Sequence, residues 1–187
     1  MVFLVAQEDL FSDNASIISS LAGTIGHQMF PSGDLAGLRR MQITSPHPAY
    51  WRLLFSKIPE KWRGEAQEKI WALTMKNMAI MAPDIHTPKM SIGTVLALIA
   101  LDSGGDPSIP GNPMEVRLLA LLSAPEKRLE DHIRLMARFL RSKEKSIDWV
   151  EMFYFLITKD RSKKEVISRK IAKSFYKIAF SQKTEGI

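Results

Sequence analysis

Helical periodicity is the feature that most restricts the fold of this chain. Apolar residues recur at three- and four-residue spacing through nearly all of the 187 residues, and no segment convincingly shows the two-residue alternation of a strand. Proline, glycine and capping residues divide the pattern into short helices. The sequence therefore predicts an all-α protein.

The breakers also give approximate helix boundaries. Pro48 and Pro59 enclose one predicted helix, for example, and Pro83 ends another. The helix before Pro83 is predicted to be amphipathic, with Ile70, Leu73, Met78 and Met81 near one face. The predicted helices cover residues 8–21, 32–40, 48–57, 64–81, 91–101, 114–122, 125–141, 146–158 and 162–180.

A breaker-rich segment divides the predicted helices into two groups. Residues 102–113 contain three Gly and three Pro, the strongest linker signal in the chain. The four helices that follow have short connections, which is typical of an antiparallel bundle. We therefore predict two packed helical bundles, an N-terminal one over residues 1–110 and a C-terminal four-helix bundle over residues 111–187.

Positive charge is concentrated in the last third of the chain. Residues 1–124 carry ten Lys and Arg against eleven Asp and Glu, whereas residues 125–187 carry sixteen against nine. The formal net charge of +6 thus arises entirely after residue 124. Such asymmetry indicates a polyanionic partner, which could be nucleic acid, an acidic membrane surface or an acidic protein.

Two predicted helices present basic faces opposite apolar ones, and a further basic cluster lies earlier in the chain. On the helix over 125–141, three Arg recur at i, i+4 and i+7, and four basic residues share the polar side of the last helix. A solvated helix can show the same pattern with no ligand. The candidate nucleic-acid-binding residues are Arg39, Arg40, Arg52, Arg134, Arg138, Arg141, Arg169, Lys170, Lys173 and Lys177.

The sequence gives little sign of catalysis, metal binding or membrane association. The chain has no cysteine, and its four histidines lack metal-ligand spacing, so they are expected to be surface or cap residues. Phosphate-binding loops and the common hydrolase motifs do not occur. We expect no catalytic residues, cofactor, metal or small-molecule substrate, and a cytoplasmic protein with no membrane partner, since neither a signal peptide nor a long apolar segment is apparent.

Several short segments, taken in chain order, resemble elements of one known family. Asp34-Leu-Ala-Gly-Leu-Arg-Arg40 is similar to its leucine-arginine-arginine element, and Pro48-Ala-Tyr-Trp-Arg-Leu-Leu54 to its proline-aromatic-arginine-leucine element. Further matching elements lie at residues 91–97, 115–122, 148–149 and 169–176. In this order and spacing, the chain resembles the CasB family, the small subunits of the type I-E CRISPR surveillance complex, Cascade.

The resemblance implies a non-catalytic, all-helical subunit with several partners. These would be the other Cascade subunits, a second copy of the chain lying head to tail, the hybrid of guide RNA and target DNA, and the displaced DNA strand during R-loop formation. By motif, Arg39, Arg40, Arg52 and Arg117 correspond to basic positions of the family. Because Arg117 flanks the apolar side of its helix, a structural salt bridge is expected there as readily as a nucleic-acid contact.

Two other interpretations stay open from the residues alone. The chain could be a freestanding basic helical module that docks on an acidic protein and has no nucleic-acid role. It could also be a helical enzyme whose site assembles in space from residues with no recognisable motif.

Overall fold

The computed structural model describes the backbone of residues 2–181 and the side chains of residues 14–181. Nine α-helices and one short 3-10 helix form in this part of the chain, in which no strand is present beyond an isolated bridge between Gln42 and Ser45. The all-α prediction is confirmed. The α-helices are α1 (Val2–Gly26), α2 (Ser32–Arg40), α3 (Pro48–Lys57), α4 (Glu65–Met81), α5 (Ile92–Asp102), α6 (Pro113–Leu122), α7 (Glu126–Ser142), α8 (Trp149–Ile157) and α9 (Arg161–Ser181).

Local capping chemistry explains why the predicted boundaries match these helices closely. Helices α3 and α6 begin at Pro48 and Pro113. Proline suits this position because a backbone N–H in the first turn has no acceptor within the helix, so its absence costs no hydrogen bond. Before α3, His47 Nδ1 accepts a hydrogen bond from Ala49 N, and Asp148 Oδ1 caps α8 in the same way through Val150 N. His47 is thus a cap residue, which fits the expectation that the histidines are surface or cap residues. Helix α1 begins earlier than predicted, and the first part of its prediction falls on residues whose side chains lie outside the described ones.

The N-terminal unit, Met1–His86, is built around α4. Helices α1, α2 and α3 all pack against this helix, and every residue from Trp71 to Met81 is buried. The prediction of a single apolar face on α4 is therefore wrong, because neighbours surround the C-terminal part of the helix. Met75, Met78 and Met81 fill this core, as does Met41 at the end of α2.

The C-terminal unit, Thr87–Ile187, contains helices α5 to α9. The predicted boundary after residue 110 falls in the loop between α5 and α6, and the residues predicted to form a four-helix bundle contain α6–α9. Helix α5 joins these four because it packs closely along α9. Gly93 permits this approach, since a Cβ at that position would lie within 3.0 Å of Ile171 O, Ser174 Oγ and Phe175 N.

Hydrogen bonds within the C-terminal unit join three segments that the resemblance had picked out separately, residues 91–97, 115–122 and 169–176, and link them to Glu151 of α8. Ser91 Oγ, at the start of α5, donates to Glu151 Oε2 of α8 at 2.7 Å and accepts from Ser174 Oγ of α9 at 2.8 Å. Burial raises the pKa of the Glu151 carboxyl, although its hydrogen bond from Ser91 opposes this shift. Tyr176 likewise joins α9 to α6 by donating to Glu115 Oε1 at 2.6 Å. These segments therefore hold the unit together.

Candidate nucleic-acid interface

Helix α7 presents an arginine row opposite its buried stripe. Leu129, Ile133, Met136 and Leu140 are buried, as the spacing predicted. Arg134, which is partly exposed, donates to Asp131 Oδ1 at 2.6 Å, three residues earlier on the same helix. Arg138 and Arg141 are exposed, and neither makes an ion pair or a side-chain hydrogen bond with any residue that the structure describes. Two cations of the row are thus available to a ligand.

Helix α9 presents a second basic face. Its buried side comprises Ile171, Phe175 and Ala179. Arg169 donates to Glu165 Oε1 at 2.6 Å, one turn earlier, so the charge of this arginine is balanced locally. Val166, although apolar, is 66% exposed, because at 100° per residue it falls between the basic positions.

The lysines on the basic face of α9 make fewer contacts with carboxylates than Arg169 does. Lys170, Lys173 and Lys177 are all exposed. The ammonium group of Lys170 tends to lower the pKa of Glu151, which is a weaker influence on that carboxyl than burial. Lys173 and Lys177 make no ion pair within residues 14–181. These two lysines are one helical turn apart and, with Lys170, form a continuous cationic track.

Arg39 has a structural function in the N-terminal unit. Its half-buried guanidinium donates through Nε to Ala79 O of α4 at 2.7 Å. The helical partner of this carbonyl would be the N–H of residue 83, which is a proline and has none. Arg39 therefore satisfies a carbonyl that α4 leaves open near its C-terminal end.

The other two arginines predicted in the N-terminal unit are exposed, with different partners. Arg40 Nε donates to Ala36 O at 3.3 Å within its own helix and has no carboxylate partner among the described residues. Arg52 Nη2 donates to Asp34 Oδ1 at 2.7 Å, and the side chains of the pair are 61% and 24% exposed. The structure thus ties α3 to α2 through Arg52 and leaves the charge of Arg40 unbalanced.

Two further cations lie over aromatic rings. The Arg117 guanidinium carbon is 4.4 Å from the centroid of Phe139, joining α6 to α7, and Arg117 makes no salt bridge with a described residue. The expected salt bridge at Arg117 is thus replaced by a cation–π contact. Lys164 Nζ is 4.8 Å from the centroid of Phe155, and burial lowers the pKa of this lysine. Both side chains serve packing in the C-terminal unit.

The sequence reasoning missed an exposed aromatic pair on α3. Trp51 and Phe55 lie one turn apart on α3, with ring centroids 6.4 Å apart and planes inclined by 29°. They are 39% and 60% exposed. The signal was present in the spacing, because Tyr50, Leu53 and Leu54 define the buried side of α3 and leave positions 51 and 55 outside it.

The described residues offer no cluster of three or more His, Asp or Glu side chains that could hold a metal ion. In the same part of the chain, no helix combines the length and apolarity needed to cross a membrane.

The fold is similar to that of three solved proteins. M. ruber CasB aligns with a TM-score of 0.66 at 20% identity, covering 91% of this chain and 98% of that one. A chain in the crystal structure of E. coli Cascade bound to a PAM-containing double-stranded DNA target gives 0.58 at 19% identity, covering 85% and 96%. A CRISPR-associated protein of the Cse2 family from Thermus thermophilus gives 0.59 at 22% identity, covering 86% and 96%. At these identities the likeness concerns the fold.

The sequence itself carries the family assignment. The comparison with curated proteins gives no match. The family model described as CRISPR-associated protein Cse2 matches residues 34–176, which is most of the chain and includes most of α2, all of α3 to α8 and most of α9. The segments that suggested CasB from the sequence alone all lie within this range. The chain therefore belongs to the Cse2 family of CRISPR-associated proteins.

Proposed function

We propose that this protein is the small subunit of a type I-E CRISPR surveillance complex, Cascade, and acts there without catalysis. Family membership supports the assignment, and so does the similarity in fold to a chain of E. coli Cascade. In this role the protein braces its neighbouring subunits and holds DNA strands while the R-loop forms. Its partners are the other Cascade subunits, a second copy of itself, the hybrid of guide RNA and target DNA, and the displaced strand, all in the cytoplasm.

One observation carries the nucleic-acid part of the proposal. Four exposed cations, Arg138 and Arg141 on α7 and Lys173 and Lys177 on α9, have no acidic partner among the described residues. Since guide RNA reads the sequence in such complexes, an accessory subunit needs only contacts to phosphates. Lys and Arg on rigid helices provide these contacts without sequence preference. The C-terminal unit is therefore the principal phosphate-binding surface.

The remaining candidates are assigned smaller contributions. Lys170 extends the track of α9, and Arg40 adds an exposed cation in the N-terminal unit. Arg52, Arg134 and Arg169 each share their charge with a carboxylate, and Arg39 completes α4. An arginine retains unused N–H donors when one is engaged, so these four assist a bound strand but do not dominate its affinity.

Assembly with the other subunits is the decisive test of the proposal that this protein is a subunit of Cascade. The chain is co-expressed with the remaining Cascade subunits from its own genome and a guide RNA, and the complex is purified through another subunit. We expect this chain to co-purify in stoichiometric amount and to increase the lifetime of the R-loop. If the chain is absent from the purified complex, the freestanding protein-interaction module becomes the better account.

A paired charge reversal tests the DNA-binding part within the assembled complex. We expect Lys173→Glu with Lys177→Glu to shorten the R-loop lifetime while leaving assembly intact. Lys69→Glu with Lys89→Glu is the matched control, since both lysines are exposed, lie outside α7 and α9, and give the same change in charge. Equal R-loop lifetimes for the two variants would contradict the assignment of α9 to DNA.

A further inference from the structure

The exposed face of α3 combines aromatic rings with positive charge. Trp51, Arg52, Phe55 and Ser56 are all exposed on the side of α3 away from its buried residues. Over residues 51–63, four basic residues stand against a single acidic one, Glu60. Asp34 also reaches this face, where it bonds Arg52. The segment is thus cationic although the N-terminal unit as a whole is neutral.

The two rings are held in place by their neighbours. The Trp51 ring meets Tyr50 edge-on, with centroids 4.9 Å apart. The Arg63 guanidinium carbon is 4.8 Å from the centroid of Phe55, and Arg63 donates to Ile58 O at 2.7 Å and Phe55 O at 3.0 Å. Because the two side chains are already ordered, binding a ligand to them costs little side-chain entropy.

Exposed and positioned in this way, the rings have the properties of a stacking platform. A strand of unpaired nucleotides carries flat base rings and negative phosphates in alternation, which complements adjacent aromatic rings and guanidinium groups. In a duplex the bases stack on one another and offer no face to the protein. A ligand without negative charge would leave the cations of the segment unused. This chemistry favours single-stranded nucleic acid.

We propose that Trp51 and Phe55 form a base-stacking platform for single-stranded nucleic acid, bordered by Arg52 and Arg63. The inference rests on the proposed function, because it requires a strand to be present, but it adds a contact to bases where that function needs only phosphates. The platform selects unpaired strands over duplex and, since every base has an aromatic face, shows little preference among sequences.

Trp51 provides the readout for a direct test on the full chain. Of the four tryptophans, Trp71 and Trp149 are buried at 0% and 1% exposure, and Trp62 is only partly exposed. The protein is titrated at low salt with a single-stranded oligothymidylate, with an abasic strand of equal length and charge, and with a duplex. We expect the oligothymidylate alone to quench the fluorescence strongly and to bind roughly tenfold more tightly than the abasic strand, as one stacked base would provide.

Variants assign the effect to the platform. Phe55→Ala should reduce the affinity for oligothymidylate to that for the abasic strand, and Trp51→Phe should retain much of the affinity while abolishing the quenching. Met29→Ala is the control, since Met29 is an apolar side chain of the same unit with 78% exposure. Thermal melting of each variant checks that these surface changes leave the fold intact.

The outcomes separate this inference from the proposed function. If the oligothymidylate and the abasic strand bind equally and neither quenches Trp51, the platform is wrong while phosphate binding stands. If neither strand binds at all, both are wrong for the isolated chain. If Phe55→Ala prevents co-purification with the other subunits and leaves strand affinity unchanged, the face contacts protein and the stacking proposal is overturned.

Discussion

The two units of this protein use their positive charges differently. Residues 1–86 carry eight Lys and Arg against eight Asp and Glu, whereas residues 87–187 carry eighteen against twelve, so the whole net charge of +6 belongs to the C-terminal unit. In the N-terminal unit, Arg39 and Arg52 are bound to groups of the protein itself. On α7 and α9, by contrast, Arg138, Arg141, Lys173 and Lys177 are exposed without a carboxylate partner among the described residues. Net charge locates the region, and local partners decide which cations are available.

The helices of the two units differ for a related reason. The C-terminal part of α4 is buried on all sides, so it offers no surface to a ligand. Helices α7 and α9 bury one side only, and the opposite sides can bear several like charges in water. A helix buried on all sides has no surface for a ligand, whereas a helix buried on one side can also display a charged track.

The largest loss of stability is expected where the backbones of α5 and α9 are in contact in the C-terminal unit. Gly93→Ala places a Cβ against Ile171 O and Phe175 N of α9, neither of which can rotate away. We expect it to lower the free energy of unfolding by about 3 kcal/mol, measured by urea denaturation. At Gly37 in the N-terminal unit the obstacle is the His47 ring, at 2.5 Å, and Gly37→Ala should cost only about 1 kcal/mol as the cap on α3 is lost.

Gly23→Ala provides the control for these glycine substitutions. A Cβ at Gly23 would meet nothing within 4 Å, and the residue lies inside α1. Ala should therefore stabilise the helix by about 0.5–1 kcal/mol. If Gly93→Ala were as harmless as Gly23→Ala, the close packing of α5 on α9 would be refuted.

A smaller effect is expected from Arg39. Replacing Arg39 with Gln removes the charged donor from Ala79 O, which Pro83 cannot satisfy. The free energy of unfolding should fall by about 1–2 kcal/mol, which a melting curve would detect. Arg40→Gln, one residue later and exposed, should change stability by less than about 0.5 kcal/mol. Equal stabilities for the two variants would remove the structural role of Arg39.

The smallest effect is expected at Glu151, and it depends on pH. Burial raises the pKa of this carboxyl above its ordinary value of 4.5, so the folded chain binds the proton more tightly than the unfolded chain. The contribution of Glu151 to stability therefore falls as the pH rises through the window that begins near 4.5. Glu151→Gln keeps an acceptor for Ser91 and should raise the melting temperature at pH 7 but not at pH 4. An unchanged or lowered melting temperature at pH 7 would contradict this.

Local signals in the sequence were sufficient for the helices but not for the roles of single residues. Proline and cap residues mark where α3, α6 and α8 begin, because the backbone conformation there depends on close neighbours. The role of Arg39 depends on Pro83 and Ala79, about forty positions away along the chain. Glu151 and Ser91 are 60 positions apart, and their contact exists only once α5 and α8 are packed. Such pairings arise from tertiary structure, which the spacing of residues along one chain does not reveal.

The candidate site shows the same division. The spacing on α7 and α9 placed most of the apolar residues opposite the basic ones, since both sets follow from helical geometry, but Val166 lies on the basic side of α9. The acidic partners of the cations were harder to predict from the sequence. Arg52, for example, is bound by Asp34 from a different helix. Nor did composition reveal the Trp51–Phe55 pair, for which exposure is set by how α3 packs within the N-terminal unit.

The salt dependence of strand binding tests the central claim most directly. Affinity for a single strand is measured over a range of salt concentrations for the wild type, for Lys173→Gln with Lys177→Gln, and for Arg39→Gln with Arg52→Gln. Both double variants remove two positive charges. Melting curves show what fraction of each variant is folded, so that the affinities refer to folded protein. We predict that the C-terminal pair lowers the log–log slope by about 1.4 in magnitude, at about 0.7 per lost phosphate contact, and that the N-terminal pair lowers it far less. A larger decrease for Arg39 and Arg52 would contradict the account.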